Sequence, residues 1–133
     1  MTVALVDDDE AVLDSLRMAL ESRSIAVRCF TSAEAFMESL DELRPRCVVS
    51  DVRMPGWSGI ELQQALKARD ATLPLILITG HGDIPMAVNA IKEGAFDFIE
   101  KPFDYERLID SIMKAIEYGD RAHSAQAQLV DLA

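Results

Sequence analysis

At 133 residues, half of them hydrophobic and 27% charged, the chain suits one domain with a real buried core. Its net charge of −10 opposes direct binding to nucleic acid or to an anionic membrane. No apolar run approaches the roughly 20 residues that span a bilayer, and Met1-Thr2-Val3 has no basic stretch ahead of it, so neither membrane insertion nor secretion is expected and the expected location is the cytoplasm.

Residues 3–6 are a short Val- and Leu-rich run that reads as a strand buried on both faces. Asp7, Asp8 and Asp9 follow, and Asp9 is the better candidate to cap the helix marked by Val12, Leu13, Leu16 and Leu20, which runs to about Ser22. Residues 25–29 read as a second strand. Thr31 or Ser32 opens a second helix with Ala35, Phe36, Met37 and Leu40 inward, and Pro45 ends it. Cys29 and Cys47 each sit in an apolar stretch without a metal-spaced partner, so both are expected as free thiols. His81 and His123 are too few and too far apart for a metal cluster.

Residues 46–50 form the third strand, which stops at Asp51 ahead of Pro55 and Gly56. Ser58 starts a third helix with capping-box spacing to Glu61 and with Ile60, Leu62, Ala65 and Leu66 inward. Residues 74–78 are the fourth strand, ending at Thr79, and residues 80–83 read as a mobile glycine-bearing turn. Met86, Ala87, Ala90 and Ile91 mark a fourth helix that stops at Gly94. Residues 96–99 are the fifth strand, in which alternation puts Phe96 and Phe98 on one face and Ile99 on the other. Lys101-Pro102-Phe103 turns the chain into a last helix carrying Leu108, Ile109, Ile112 and Ile116. After Gly119 the composition shifts to Ala, Gln and Ser, and Ala122, Ala125, Leu129 and Leu132 keep helical spacing. Residues 119–133 therefore read as the start of a linker, either helical or a frayed tail, cut from a longer protein.

Five alternations of strand and helix with short connections imply a parallel sheet with helices on both faces. In such a sheet ligands sit outside the carboxyl ends of the strands. Asp7, Asp8, Asp51, Thr79 and Lys101 all fall at those ends. Three carboxylates make a hard, oxygen-only site suited to Mg2+, with Mn2+ as a substitute. Lys101 supplies a fixed positive charge, Thr79 a hydroxyl, and an Asp carboxylate can attack phosphorus in line to form an acyl phosphate. Each residue alone also has an ordinary reading as a cap, a turn residue or a surface ion pair. Their joint position favours the functional one.

Leu5-Val6-Asp7-Asp8-Asp9, Asp51-Val52-Arg53-Met54-Pro55 with Gly59, Ile78-Thr79-Gly80, and Gly94-Ala95 through Lys101-Pro102-Phe103 resemble the receiver domain of bacterial two-component response regulators, over about residues 2–118, which places the domain at residues 1–118. The resemblance implies a flavodoxin-like (CheY-like) doubly wound five-stranded sheet of order 2-1-3-4-5 with five helices. It implies Asp51 as phosphoacceptor, Asp7 and Asp8 as metal ligands with the backbone carbonyl of Arg53, and Thr79, Lys101 and Phe98 as phosphate-binding and switch residues. Arg53, Gly80 and His81 match positions that tune the lifetime of the phosphoaspartate, and the Lys101–Pro102 bond is expected cis. The implied protein is a signalling phosphoacceptor rather than an enzyme, although it assists its own phosphorylation and dephosphorylation. The implied partners are a sensor histidine kinase, a second copy on phosphorylation, and DNA only through an output domain missing from this sequence.

The stretch from Thr79 to Val88 resembles FixJ-like regulators, with a helix-turn-helix output, and NtrC-like activators, with a P-loop ATPase; Ser32 to Phe36 and Glu100 to Phe103 favour the FixJ-like group. A stand-alone receiver is a further alternative, which the residues after 118 weigh against. An aspartyl-phosphate-forming phosphatase needs an acid two residues after its nucleophile to protonate the leaving group. Arg53 occupies that position and cannot do so.

Overall fold

The computed structural model describes residues 2–70 and 72–132, with side chains described up to Ala122. Five strands, β1 (Thr2–Val6), β2 (Ala26–Phe30), β3 (Cys47–Asp51), β4 (Leu75–Thr79) and β5 (Asp97–Glu100), form one sheet of order β2-β1-β3-β4-β5. Every neighbouring pair is parallel. Five α-helices alternate with them: α1 (Glu10–Glu21), α2 (Ala33–Leu43), α3 (Gly59–Arg69), α4 (Ile84–Lys92) and α5 (Tyr105–Leu132). This is the doubly wound arrangement expected, with a single 3-10 turn, His81–Asp83, added ahead of α4.

The near-continuous apolar strands are buried on both faces because helices cover both. Val3, Leu5, Val49, Ile76 and Ile78 point to the α1 and α5 side. Ala4, Val6, Val48 and Leu77 point to the side of α2, α3 and α4, where Phe36, Leu62 and Leu66 meet them. Asp9 caps α1 by accepting from the Ala11 and Val12 amides. Ser32, not Thr31, caps α2. Ser58 and Glu61 form the full capping box of α3. Gly94 follows α4 at φ +113°, a conformation that only glycine adopts without strain.

Three expectations need correction. Strands β2, β3, β4 and β5 each begin one residue later than expected, and β1 begins one residue earlier, at Thr2. As a result Phe96 precedes β5, and it does not share a face with Phe98. Phe96 packs on the α1/α5 side with Ile99 and against the Tyr118 ring, whereas Phe98 lies on the opposite side. Of the four apolar residues that mark α4, only Ala87 and Ala90 are buried; Met86 and Ile91 are exposed. Small residues let α4 lie close to the sheet, and its larger side chains flank that contact facing solvent.

Helix α5 passes through Gly119 without a break. A Cβ there would meet Pro74 Cδ at 3.0 Å, and the Asp120 carboxylate accepts from Arg46, so the helix is still seated on the body at residues 119 and 120. The Ala125, Leu129 and Leu132 side chains of the proposed stripe lie outside the described residues, and so does His123. Among the described residues no helix is long and apolar enough to cross a membrane. Both cysteines are free thiols, and burial pushes Cys47 up to about 12.

Candidate functional site

The strand ends bring five expected residues together because neighbouring parallel strands all finish at one edge. Asp51 is the last residue of β3 and Thr79 the last of β4; Asp7 directly follows β1 and Lys101 directly follows β5. The backbone ties these ends to one another. The Asp7 amide donates to the Phe30 carbonyl, Val52 to Ile78 at 3.0 Å, and Lys101 to Thr79 at 2.8 Å.

One oxygen from each of Asp7, Asp8 and Asp51 lies within 4.8 Å of the others. Asp7 Oδ1 accepts from the Asp9 amide at 2.9 Å, but Asp7 Oδ2 is buried with no hydrogen-bond partner. A buried carboxylate oxygen without a donor is costly. Burial first, and then the neighbouring Asp51 and Asp8 charges, raise Asp7 to about 6; the Asp9 amide and Lys101 oppose the rise. The donor set and the orphaned oxygen both fit a hard divalent cation, which would satisfy that oxygen and offset the crowded charge.

Asp51 is partly buried and held from two sides. Its Oδ2 accepts from Lys101 Nζ at 3.0 Å and its Oδ1 from the Arg53 amide at 3.3 Å. Gly59 explains how α3 starts so near. Its amide donates to the Val52 carbonyl at 2.9 Å, and a Cβ on it would lie 2.5 Å from the Asp51 carbonyl oxygen. Only glycine leaves room for the acid-bearing strand and the helix start to touch.

The other half of the mouth is arranged differently. Thr79 is fully buried, and its hydroxyl donates to the Gly80 carbonyl at 3.1 Å rather than toward Asp51. Phe98 is half-buried. His81 is exposed and pairs through Nδ1 with Glu100 at 3.0 Å, and a Cβ on Gly80 would meet open space. Among the described residues the His81 ring pairs with Glu100 and not with Asp51. The Lys101–Pro102 peptide is cis, as expected.

Asp83 is the residue that sequence reasoning missed. Its buried carboxylate takes Arg53 Nε at 2.8 and 2.9 Å and Nη2 at 2.7 Å. Hydrogen bonds from Arg53 hold its carboxyl below the usual carboxylate range. Arg53 is therefore turned to the β4–α4 turn and not to Asp51. Opposite charges on the β3 and β4 loops were the only available signal, and it becomes informative once those strands are known to be neighbours. Glu34 was also missed: from the first turn of α2 it accepts from the Trp57 amide at 3.2 Å and steadies the loop after Asp51.

The family model for the response regulator receiver domain matches residues 3–113. The chain belongs to that family. It is 46% identical over 131 residues to the transcriptional regulatory protein FixJ of Bradyrhizobium diazoefficiens, covering 98% of this chain and 64% of that protein. It is 45% identical over 115 residues to the C4-dicarboxylate transport transcriptional regulatory protein DctD of Pseudomonas aeruginosa, covering 86% of this chain but 25% of that one. The crystal structure of full-length FixJ from B. japonicum superposes with a TM-score of 0.87 at 45% identity, again over 98% of this chain and 64% of FixJ. The chain thus spans somewhat under two thirds of the length of FixJ. By family the chain is a response regulator receiver domain, similar to the one in FixJ.

Proposed function

We propose that Asp51 is the phosphoacceptor and that residues 1–118 form the receiver unit, with 119–133 leading toward an output domain. The single observation that carries this reading is the Asp51 carboxylate, held at once by Lys101 and by the Arg53 amide beside two further acids. A sensor histidine kinase is the proposed donor. An Asp51 oxygen forms a bond to phosphorus in line as the bond from phosphorus to the donor breaks, and the donor leaves with that electron pair. Lys101 is positioned to follow the charge from the carboxylate onto the phosphoryl oxygens.

Asp7, Asp8, Asp51 and the Arg53 carbonyl would hold Mg2+, or Mn2+ in its place. Bound there, the ion supplies charge neutralisation for the acids and the incoming phosphoryl group. In this way the domain assists its own phosphorylation and dephosphorylation while acting as a signalling acceptor.

Phosphorylation adds nearly two negative charges and new acceptor oxygens. Thr79 is proposed to exchange the Gly80 carbonyl for a phosphoryl oxygen, with Phe98 turning into the space it leaves and α4 repacking. The exposed Met86 (41%), Val88 (42%) and Ile91 (36%) then favour the face of α4, β5 and α5 as a homodimer surface. Dimerisation would control a DNA-binding transcriptional output domain in the cytoplasm. The FixJ-like output is favoured because the match to the Bradyrhizobium FixJ extends over the connector as well as the domain. An NtrC-like ATPase output is the second reading, supported by the identity to DctD.

Incubation with acetyl phosphate and Mg2+, followed by intact mass, tests the centre. One added phosphate that disappears in Asp51→Asn is the expected result. Phosphate retained by that variant overturns it.

A further inference from the structure

The Arg53–Asp83 pair joins the loop after the proposed phosphoacceptor to the turn that begins α4. It is lopsided in exposure: the Arg53 side chain is 74% exposed and that of Asp83 only 8%. Arg53 is thus free to leave, whereas Asp83 is not free to be left. Its carboxylate has no donor other than Arg53 among the described residues, so on losing Arg53 it must take another donor, from the protein or from water.

Asp83 also occupies the N-cap position of α4, yet its side chain accepts no hydrogen bond from that helix. An N-cap carboxylate serves the amides two and three residues on. For Asp83 the first of these is Pro85, which has no N–H, so Met86 is the one amide available. Asp83 therefore has two candidate partners, the Arg53 guanidinium and the Met86 amide, and both of its oxygens are engaged by the first. The helix dipole makes the second favourable as soon as the carboxylate is released.

A phosphoryl group on Asp51 would compete for Arg53, which already donates its backbone N–H to Asp51. Arginine pairs with phosphate in the same two-pronged manner as with carboxylate, and the phosphate carries more charge. We infer that the Arg53–Asp83 pair is a latch: it holds Asp83 off the first turn of α4 until a phosphoryl group on Asp51 draws Arg53 away and lets Asp83 cap that helix through Met86. This rests on Asp51 being the acceptor. It gives the β4–α4 turn two discrete hydrogen-bonded arrangements, so that α4 gains a cap when the site is charged.

The test is amide hydrogen exchange at Met86, followed by NMR on this 133-residue chain. In unmodified Arg53→Ala the Met86 amide should exchange about fivefold more slowly than in wild type, the size of one side-chain cap. Wild type treated with acetyl phosphate and Mg2+ should show the same slowing, whereas unmodified Asp83→Ala and the double variant should show none. Exchange in Arg53→Ala that is unchanged or faster overturns the latch, as does equal slowing in Asp83→Ala. If intact mass shows no phosphate on Asp51, the acceptor reading fails and the phosphoryl trigger with it. The comparison of unmodified Arg53→Ala with wild type still decides whether the pair restrains α4.

Discussion

The two sides of the sheet's mouth are built to opposite specifications. On the side of β1 and β3, helices α1, α2 and α3 all carry side-chain caps, and Gly59 locks α3 against the Asp51 carbonyl. On the side of β4 and β5, α4 has no side-chain cap, the Thr79 hydroxyl is spent on its neighbour's carbonyl, and large apolar residues face water. The first side concentrates charge and must not move when charge arrives. The second is tied to the first through side-chain pairs such as Arg53–Asp83, which can be exchanged, and leaves the first turn of α4 without a side-chain cap, which suits the proposed reporting element.

The largest expected effect breaks the link between the two sides. Lys101 reaches from the end of β5 to Asp51 on β3. If Asp51 is the acceptor, Lys101→Met, which removes the cation paired with Asp51 Oδ2, should slow phosphorylation by acetyl phosphate about a hundredfold or more, as measured by intact mass over time. A variant that reacts at the wild-type rate would show that the acids alone organise the site.

Asp7→Asn sharpens the comparison from the rigid side. The folded protein raises Asp7 from 3.8 to about 6, so its ionised form is the disfavoured one. The stability it contributes is complete below pH 3.8 and is lost as pH rises through about 6, with no further change above. Asparagine removes that loss. Without Mg2+ at pH 7.5 the variant should be more stable than wild type by about 1–3 kcal/mol in urea denaturation, and less dependent on pH between these values. Added Mg2+ should stabilise wild type and not the variant. A destabilised Asp7→Asn would mean that the carboxylate charge is already well compensated.

Gly59→Ala probes the same side through packing. The new Cβ cannot fit 2.5 Å from the Asp51 carbonyl oxygen, so β3 and α3 must separate. A loss of about 1–3 kcal/mol is expected, together with slower phosphorylation. Gly80→Ala, where a Cβ meets open space, should cost much less.

The rigid side was also the legible one. An apolar run ending in an acid, Val48-Val49-Ser50-Asp51, signals a buried strand and its mouth together, and Asp9, Ser32 and Ser58 announce helix starts by residue type. The softer side resisted reading for physical reasons. Periodicity marked α4 with Met86, Ala87, Ala90 and Ile91 alike, but only the alanines take the close contact. Phe96 and Phe98 obey alternation only within a strand, and the strand begins at Asp97. Asp83 looked like a residue of a mobile turn because its partner is 30 residues away, in a loop whose neighbour is set by strand order and not by local sequence.

The smallest effect is a direct measure of the contrast. Ser58→Ala removes the serine half of the α3 capping box and should cost about 1 kcal/mol of stability. Val88→Ser, at an exposed position of α4, should cost no more than about 0.5 kcal/mol, since a side chain already in water loses little on becoming polar. Its consequence should appear instead in association. If α4 forms part of the dimer surface, Val88→Ser should weaken the acetyl phosphate-dependent rise in mass seen by light scattering, whereas Ser58→Ala should leave that rise intact once its small stability loss is allowed for. Equal weakening by both would mean that the two sides of the mouth are not separable, and that α3 moves with α4.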